Sequence, residues 1–357
     1  MSSNSEYLKH VLKNKVPDST EIELHLFEFC NLSCAFCGQD HDSTEGMNTI
    51  TEKASQVIEF MKTSDKTSHI VNVMGGEIFN DLVPDETFDQ YWEFYKLIND
   101  WCSEQSNTVR FNWVTNLIFL KSDRVKSFLM KTREYGNNNS YISTSYDFAG
   151  RGFDLNRSLQ FENNLKVFGD YITVIGFVLT KPAIRKILAD KDKFFKDTLY
   201  KNYTLYFDYY VPELSAEKMM PSEQEMLDCM MYIAKKYPEI YPIKDLIVNE
   251  RNKMTCYSMY KTTILPSGRE VTCRYMDYEE DVFETPVDYS SNDNIIESHL
   301  ERNQCVGCKW FDRCSFRCFV QADWAKLERT QDCLFREFFN RMDSENILHY
   351  GFNNKTD

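Results

Sequence analysis

The chain has 357 residues, a net charge of −14 and 15% aromatic residues, enough length for one large core with a smaller appendage and too many rings for a disordered chain. No basic stripe of the kind a nucleic-acid binder carries is visible, and no apolar segment opens the chain. The longest apolar run, near Val174 to Leu179, is too short to cross a bilayer, so a cytoplasmic protein is expected. Twelve cysteines in a reducing compartment point to metal and not to disulfides.

Taken in order, residues 6 to 14 read as a short lead-in helix (Tyr7, Leu8, Val11, Leu12) ended by Pro17-Asp18. Glu21 to Phe29 alternates as a strand, with Ile22, Leu24 and Leu26 on one face, and delivers Cys30 to its end. Thr49 with Glu52 predicts a capping box ahead of a helix carrying Ala54, Val57, Ile58 and Met61. A strand at Ile70–Met74 runs into Gly75-Gly76-Glu77. The pattern then repeats: a helix with Phe88, Tyr91, Trp92, Tyr95 and Ile98, a strand at Val109–Val114 followed by Thr115-Asn116, and a helix with Val125, Phe128 and Leu129. Strand four is expected at Tyr141–Ser145, a helix at Leu159–Phe168 and strand five at Tyr171–Thr180. Pro182 opens the next helix, with Ile184, Ile187 and Leu188 inward, and strand six follows at Thr204–Val211. Six strand-helix units imply parallel strands with right-handed crossovers, hence an α/β fold built as a partial (β/α)6 TIM-type barrel with its ligands at the C-terminal ends of the strands. Ser222 with Glu225 opens a further helix carrying Cys229. Residues 235 to 253 look like a bridge.

The loop after strand one holds Cys30, Cys34 and Cys37, with Phe36 before the last of them. Such spacing lets one loop cover three corners of an iron-sulfur cube and leaves the fourth iron open. A zinc knuckle is the other reading; it needs a fourth ligand, for which His41 is available. From Cys256 onward the composition changes. Cys256 and Cys273 flank a hairpin built from Thr262–Leu265, the turn Pro266-Ser267-Gly268 and Glu270–Arg274. Cys305, Cys308, Cys314, Cys318 and Cys333 follow, more cysteines than a small core needs; two zinc ribbons fit the spacing locally.

The first three cysteines, on a loop after the first strand, resemble the radical S-adenosylmethionine (radical SAM) enzymes. The second set, with Gly268 between Cys256 and Cys273, resembles their SPASM extension. The resemblance implies a 4Fe-4S cluster on Cys30, Cys34 and Cys37 whose open iron chelates SAM, cleaved by one electron to a 5′-deoxyadenosyl radical. Gly75-Gly76-Glu77 resembles the GGE motif that meets the SAM amino group, with Ile78 in place of the usual proline. Thr115-Asn116 resembles TNG, with Leu117 in place of glycine. Ser145-Tyr146-Asp147 resembles the SxD that reaches the SAM ribose, and the stretch around Gly176 the region that packs on adenine. Two auxiliary 4Fe-4S clusters are implied, one on Cys305, Cys308, Cys314 and Cys333, the other on Cys256, Cys273 and Cys318. Near Asn249 and Glu250 no eighth cysteine stands, so the implied second cluster has an open iron or a non-cysteine ligand.

The implied organisation is a lead-in (1–20), the barrel (21–235), a bridge (236–255), a SPASM domain with a β-hairpin and helices (256–340) and a tail (341–357). The implied activity is a radical SAM oxidoreductase acting oxidatively on a peptide or protein side chain, fed by flavodoxin or ferredoxin. Arg274, where the sulfatase-maturing branch has its aspartate base, counts against that activity. A sugar, nucleoside or other small molecule is the alternative substrate, and a non-catalytic Fe-S or zinc scaffold the alternative from another class. Asp208 and Tyr210 share a strand face and are candidates for a general base. His25, Cys102 and Cys229 read as ordinary core or surface residues.

Overall fold

The structure is a computed structural model that describes residues 17–146, 148, 150–190, 195, 202–210, 217–248, 259–272, 300, 303–305, 307–311, 313–314 and 333–348. Its strands are β1 (Thr20–His25), β2 (Ser68–Met74), β3 (Thr108–Thr115), β4 (Ser140–Ser145), β5 (Ile172–Leu179), β6 (Thr204–Tyr209), β7 (Lys261–Ile264) and β8 (Glu270–Val271). They form one open sheet in the order β6-β5-β4-β3-β2-β1-β7-β8. All pairs are parallel except β7 with β8. The crossovers run through α1 (Lys53–Lys62), α2 (Asp85–Glu104), α3 (Ser122–Tyr135), α4 (Leu155–Val167) and α5 (Lys181–Asp190); α6 (Glu223–Lys236), α7 (Ile243–Val248) and α8 (Leu334–Ser344) follow. This is the expected α/β architecture of a partial barrel. Among the described residues no helix is long and apolar enough to cross a membrane.

Strand alternation sorts side chains between two environments. Ile22 and Leu24 of β1, Val71 and Val73 of β2, and Phe111 and Trp113 of β3 are fully buried against the helices. There Trp113 meets Phe128 of α3 edge to face at 4.8 Å between ring centroids, and its indole N–H donates to Ser140 Oγ at 2.8 Å, so the largest ring in this core leaves no polar atom stranded. The intervening residues are partly exposed and polar, and they join across the sheet. Ser143 donates to Asn112 Oδ1 at 2.7 Å, Asn112 to Asn72 Oδ1 at 3.0 Å, and Asn72 to Glu21 Oε1 at 2.9 Å. Lys261 of β7 completes the row with an ion pair to Glu23 at 2.7 Å.

Several expectations are corrected. β1 ends at His25; residues 26–29 continue only as an extended connection, held by Leu26 N–H on Met74 O. The capping box at Thr49 does not form. Residues 50–52 accept i→i+3 bonds from Lys53, Ala54 and Ser55, and the Thr49 hydroxyl is spent on Gly46 O, so α1 starts only at Lys53. At Ser222 the box is complete. The hairpin forms, but β7 pairs with β1, so the hairpin widens the barrel sheet. The supposed bridge holds α7 and a backbone pairing of Tyr241 with Leu205 and Phe207 of β6. Helix α8 runs across the expected 340/341 boundary and buries Phe335, Phe338 and Phe339 in one core with α5, α6 and α7. The lead-in helix lies outside the described residues.

Candidate functional site

The cysteine loop is set by backbone bonds before any side chain acts. Cys30 N–H donates to His41 O at 2.9 Å and closes the loop, and Cys37 N–H donates to Cys34 O at 3.0 Å. Cys30, Cys34 and Cys37 are all partly buried, and Cys34 and Cys37 lie near enough for their charges to act on Cys30. Burial pushes the Cys30 thiol up to about 12, partly offset by the Leu32 N–H and reinforced by the charges of Glu77, Cys34 and Cys37. A thiol so placed ionises only when a cation supplies the compensation, which is what metal ligation does.

The GGE segment lies directly behind this loop. Gly76 N–H donates to Phe27 O at 2.8 Å and Glu77 N–H to Phe29 O at 2.9 Å. A Cβ at Gly76 would stand 2.2 Å from the carbonyl oxygens of Glu28 and Phe29, and one at Gly75 2.6 Å from Phe27 O. Both glycines are therefore demanded by the approach of two backbones. Glu77 is fully buried, and its carboxylate is turned into the protein. It accepts from Thr115 Oγ1 at 2.7 Å, Phe79 N–H at 2.9 Å and Asn116 N–H at 2.6 Å. Burial raises its pKa from 4.5 to about 7 against the lowering effect of those bonds. Glu77 thus ties the end of β2 to the end of β3.

Asn116 completes the tie. Its Nδ2 donates to Asn31 Oδ1 at 2.8 Å, and its Oδ1 accepts from Ile118 N–H at 2.7 Å. Leu117, where the resembling motif has glycine, adopts φ 59, the left-handed region that glycine takes freely. Its side chain is fully buried, which explains why a non-glycine residue holds that conformation.

On the other side, Ala35 N–H donates to Gly150 O at 2.7 Å. Gly150 has φ 124, and a Cβ there would come within 2.9 Å of the Phe36 ring. Phe36 carries the Arg151 guanidinium at 5.4 Å from its centroid. Ser145 ends β4 and pairs in register with Gly176 of β5. Unlike Gly75 and Gly76, Gly176 has no neighbour closer than 3.6 Å to a notional Cβ; the fold itself leaves room for a side chain. Asp147 lies outside the described residues.

A second group of thiols gathers elsewhere. Cys305, Cys308, Cys314 and Cys333 line one cavity together with Asn303 and Arg336. Cys305 is buried and the other three are partly buried. Among the described residues no three His, Cys, Asp or Glu side chains meet closely enough to hold a metal ion, and this holds for Cys30, Cys34 and Cys37 as well as for this second set. Cys256, Cys273, Cys318 and Arg274 lie outside the described residues. Cys102 and Cys229 are buried in helices, with thiols pushed up to about 12 by burial. Asp208 is exposed, whereas Tyr210 lies past the end of β6 and is buried beside Met219; the two candidate bases do not share an environment. His25 is buried at the end of β1.

Neither a protein-family model nor a curated protein matches the sequence. Among solved structures, histidine-tagged anSMEcpe with bound AdoMet matches with a TM-score of 0.65 at 15% identity, over 94% of this chain and 99% of that one. Native anSMEcpe with bound AdoMet and Cp18Cys peptide matches with a TM-score of 0.62 at 15% identity, over 92% and 98%. The chain shares the fold of anSMEcpe.

Within that fold the residues that sequence reading passed over are Asn31, Gln39, Gly150 and Arg151. Gln39 accepts from Cys37 Sγ at 3.5 Å and donates to Gly75 O at 3.2 Å, joining loop and GGE segment. The pair Asn31-Leu32 inside the cysteine motif was the available signal, since an amide between two ligand positions has to bond something.

Proposed function

We propose that the chain is a radical SAM oxidoreductase that modifies a peptide or protein side chain. The observation that carries this reading is the loop after β1 that holds Cys30, Cys34 and Cys37, fastened to the ends of β2 and β3 by Gln39, Glu77 and Asn116. Three thiolates suit a 4Fe-4S cluster with one iron left for a small chelating ligand. With that cluster and SAM bound, the site supplies an electron that splits the sulfonium and a 5′-deoxyadenosyl group that takes hydrogen from the substrate.

The chain's own residues then bind and orient. The inward carboxylate of Glu77 leaves backbone oxygens of the Gly75-Gly76 turn to meet the amino group of the nucleotide. Ser145, Asp147 and the bare backbone at Gly176 are assigned to its ribose and adenine, an assignment supported by the pairing of Ser145 with Gly176 across β4 and β5. Phe36 and Arg151 close the outer side. The cavity of Cys305, Cys308, Cys314 and Cys333 fits a second, fully ligated 4Fe-4S cluster in its donor chemistry. We assign a third to Cys256, Cys273 and Cys318 and the SPASM domain to 256–340. Bound clusters of this kind accept single electrons, which an oxidative outcome requires. An external donor of the flavodoxin or ferredoxin type charges the first. A peptide substrate is favoured over a sugar or nucleoside because a structure sharing the fold holds Cp18Cys peptide.

The test is anaerobic reconstitution with iron and sulfide, reduction, and measurement of 5′-deoxyadenosine from SAM. Production that is lost in each of C30A, C34A and C37A is expected. Iron-loaded protein that leaves SAM intact overturns the reading, and zinc in place of iron supports a scaffold.

A further inference from the structure

Cys333 is the N-cap of α8, with φ −53 and ψ 130, and its side chain makes no capping bond to the helix. The first-turn N–H groups of this 11-residue helix therefore lie beside the residue whose thiol lines the cavity, and a helix N-terminus carries partial positive charge. Three residues on, Arg336 lines the same cavity. It is fixed in place: its Nη2 donates to Asn303 O at 3.1 Å and to Gln304 O at 3.0 Å, the two residues before Cys305. The guanidinium thus bridges the helix that carries Cys333 and the loop that carries Cys305. Asn303 is itself buried and lines the cavity.

We infer that Arg336, seconded by the N-terminus of α8, sets the redox poise of the cluster held by Cys305, Cys308, Cys314 and Cys333. The inference rests on the assignment of a cluster to that cavity. Reduction adds one electron, hence one unit of negative charge, to an already anionic thiolate-ligated centre, and net charge and hydrogen bonding around the sulfurs are among the protein's levers on that equilibrium. A fixed guanidinium that cannot lose its proton stabilises the reduced form and raises the potential. Arg336 is a positioning and tuning residue, not a ligand.

The experiment uses the full chain reconstituted anaerobically in the C30A/C34A/C37A background, which removes the first cluster, with dithionite titration followed by electron paramagnetic resonance and iron per chain. Adding C305A/C333A identifies the signal of this cavity. R336Q is expected to lower the one-electron reduction equilibrium of that signal about tenfold, about 59 mV, while R336K stays near the parent. N303D, which puts a negative charge on the same wall with little change of shape, is expected to shift it in the same direction. Assembled R336Q and N303D with unchanged potentials overturn the inference, as does loss of the cluster in both, which leaves Arg336 a structural role only. If R336Q alone fails to assemble, N303D decides. If C305A/C333A removes no iron and no signal, the assignment of the cavity itself has failed, a separate outcome.

Discussion

Asn116 and Asn31 are joined amide to amide, Nδ2 to Oδ1 at 2.8 Å, although 85 positions separate them. Asn31 sits between Cys30 and Leu32, so this bond fixes the thiol loop to the end of β3, where Glu77 holds the Asn116 backbone. N31A leaves the Asn116 amide without that acceptor in a half-buried place, a loss of about 1–2 kcal/mol. Denaturant unfolding of the iron-free chain should show it, and iron retained per chain after reconstitution should fall. Unchanged iron loading would mean that the loop orders without this anchor.

The buried carboxyl of Glu77 makes a signed pH prediction. Its folded pKa, about 7, lies above its usual 4.5, so the folded chain keeps a proton that the unfolded chain releases. That contribution is full below about pH 4.5 and is lost as pH rises through about 7, on the order of 3 kcal/mol in all. Gln cannot titrate. The unfolding free energy of the iron-free parent relative to E77Q should therefore decline between pH 5 and 7.5, and parallel profiles would refute it.

G76A should be among the most damaging single changes to the fold. The added methyl would sit 2.2 Å from two backbone oxygens, and neither is the end of a flexible side chain. Separating β1's extension from the GGE turn breaks the bonds at 2.8 and 2.9 Å that join them, so a loss above about 4 kcal/mol is expected. Soluble yield and Tm are the readouts. G176A, by contrast, meets only ordinary contacts and should leave stability within about 1 kcal/mol of the parent while weakening SAM binding; equal effects of the two would contradict this division.

L117G opposes two effects at one position. Glycine relieves the left-handed backbone, worth about 1–2 kcal/mol, but empties a fully buried side-chain site, worth about 2–5 kcal/mol. Burial wins, and the variant should be less stable than the parent by about 1–3 kcal/mol. A stabilised L117G would show that the strain dominates.

Local pattern carried the barrel because a half-buried strand advertises its two faces: Ile22 and Leu24 against Glu21 and Glu23, Val71 and Val73 against Asn72. It failed where the partner is distant. Thr49 and Glu52 have the same capping signature as Ser222 and Glu225, yet the Thr49 hydroxyl is taken by Gly46 O and Lys53 reaches Pro266 O at 2.6 Å. Likewise nothing near Lys261 announces Glu23, 238 positions away, so the hairpin's place in the sheet was not legible. Glu77 reads as a ligand contact from its motif, and only the converging donors of Thr115, Phe79 and Asn116 reveal an interior brace.

The row from Ser143 through Asn112, Asn72 and Glu21 continues into Lys261, whose side chain is 9% exposed. Cutting the chain before the cysteine-rich region would strip the outer strand from β1, leaving its backbone unpaired and two carboxylates without their counterion. The hairpin is consequently part of the barrel sheet. A truncated barrel should aggregate, and heating the full chain should melt both regions in a single concerted transition.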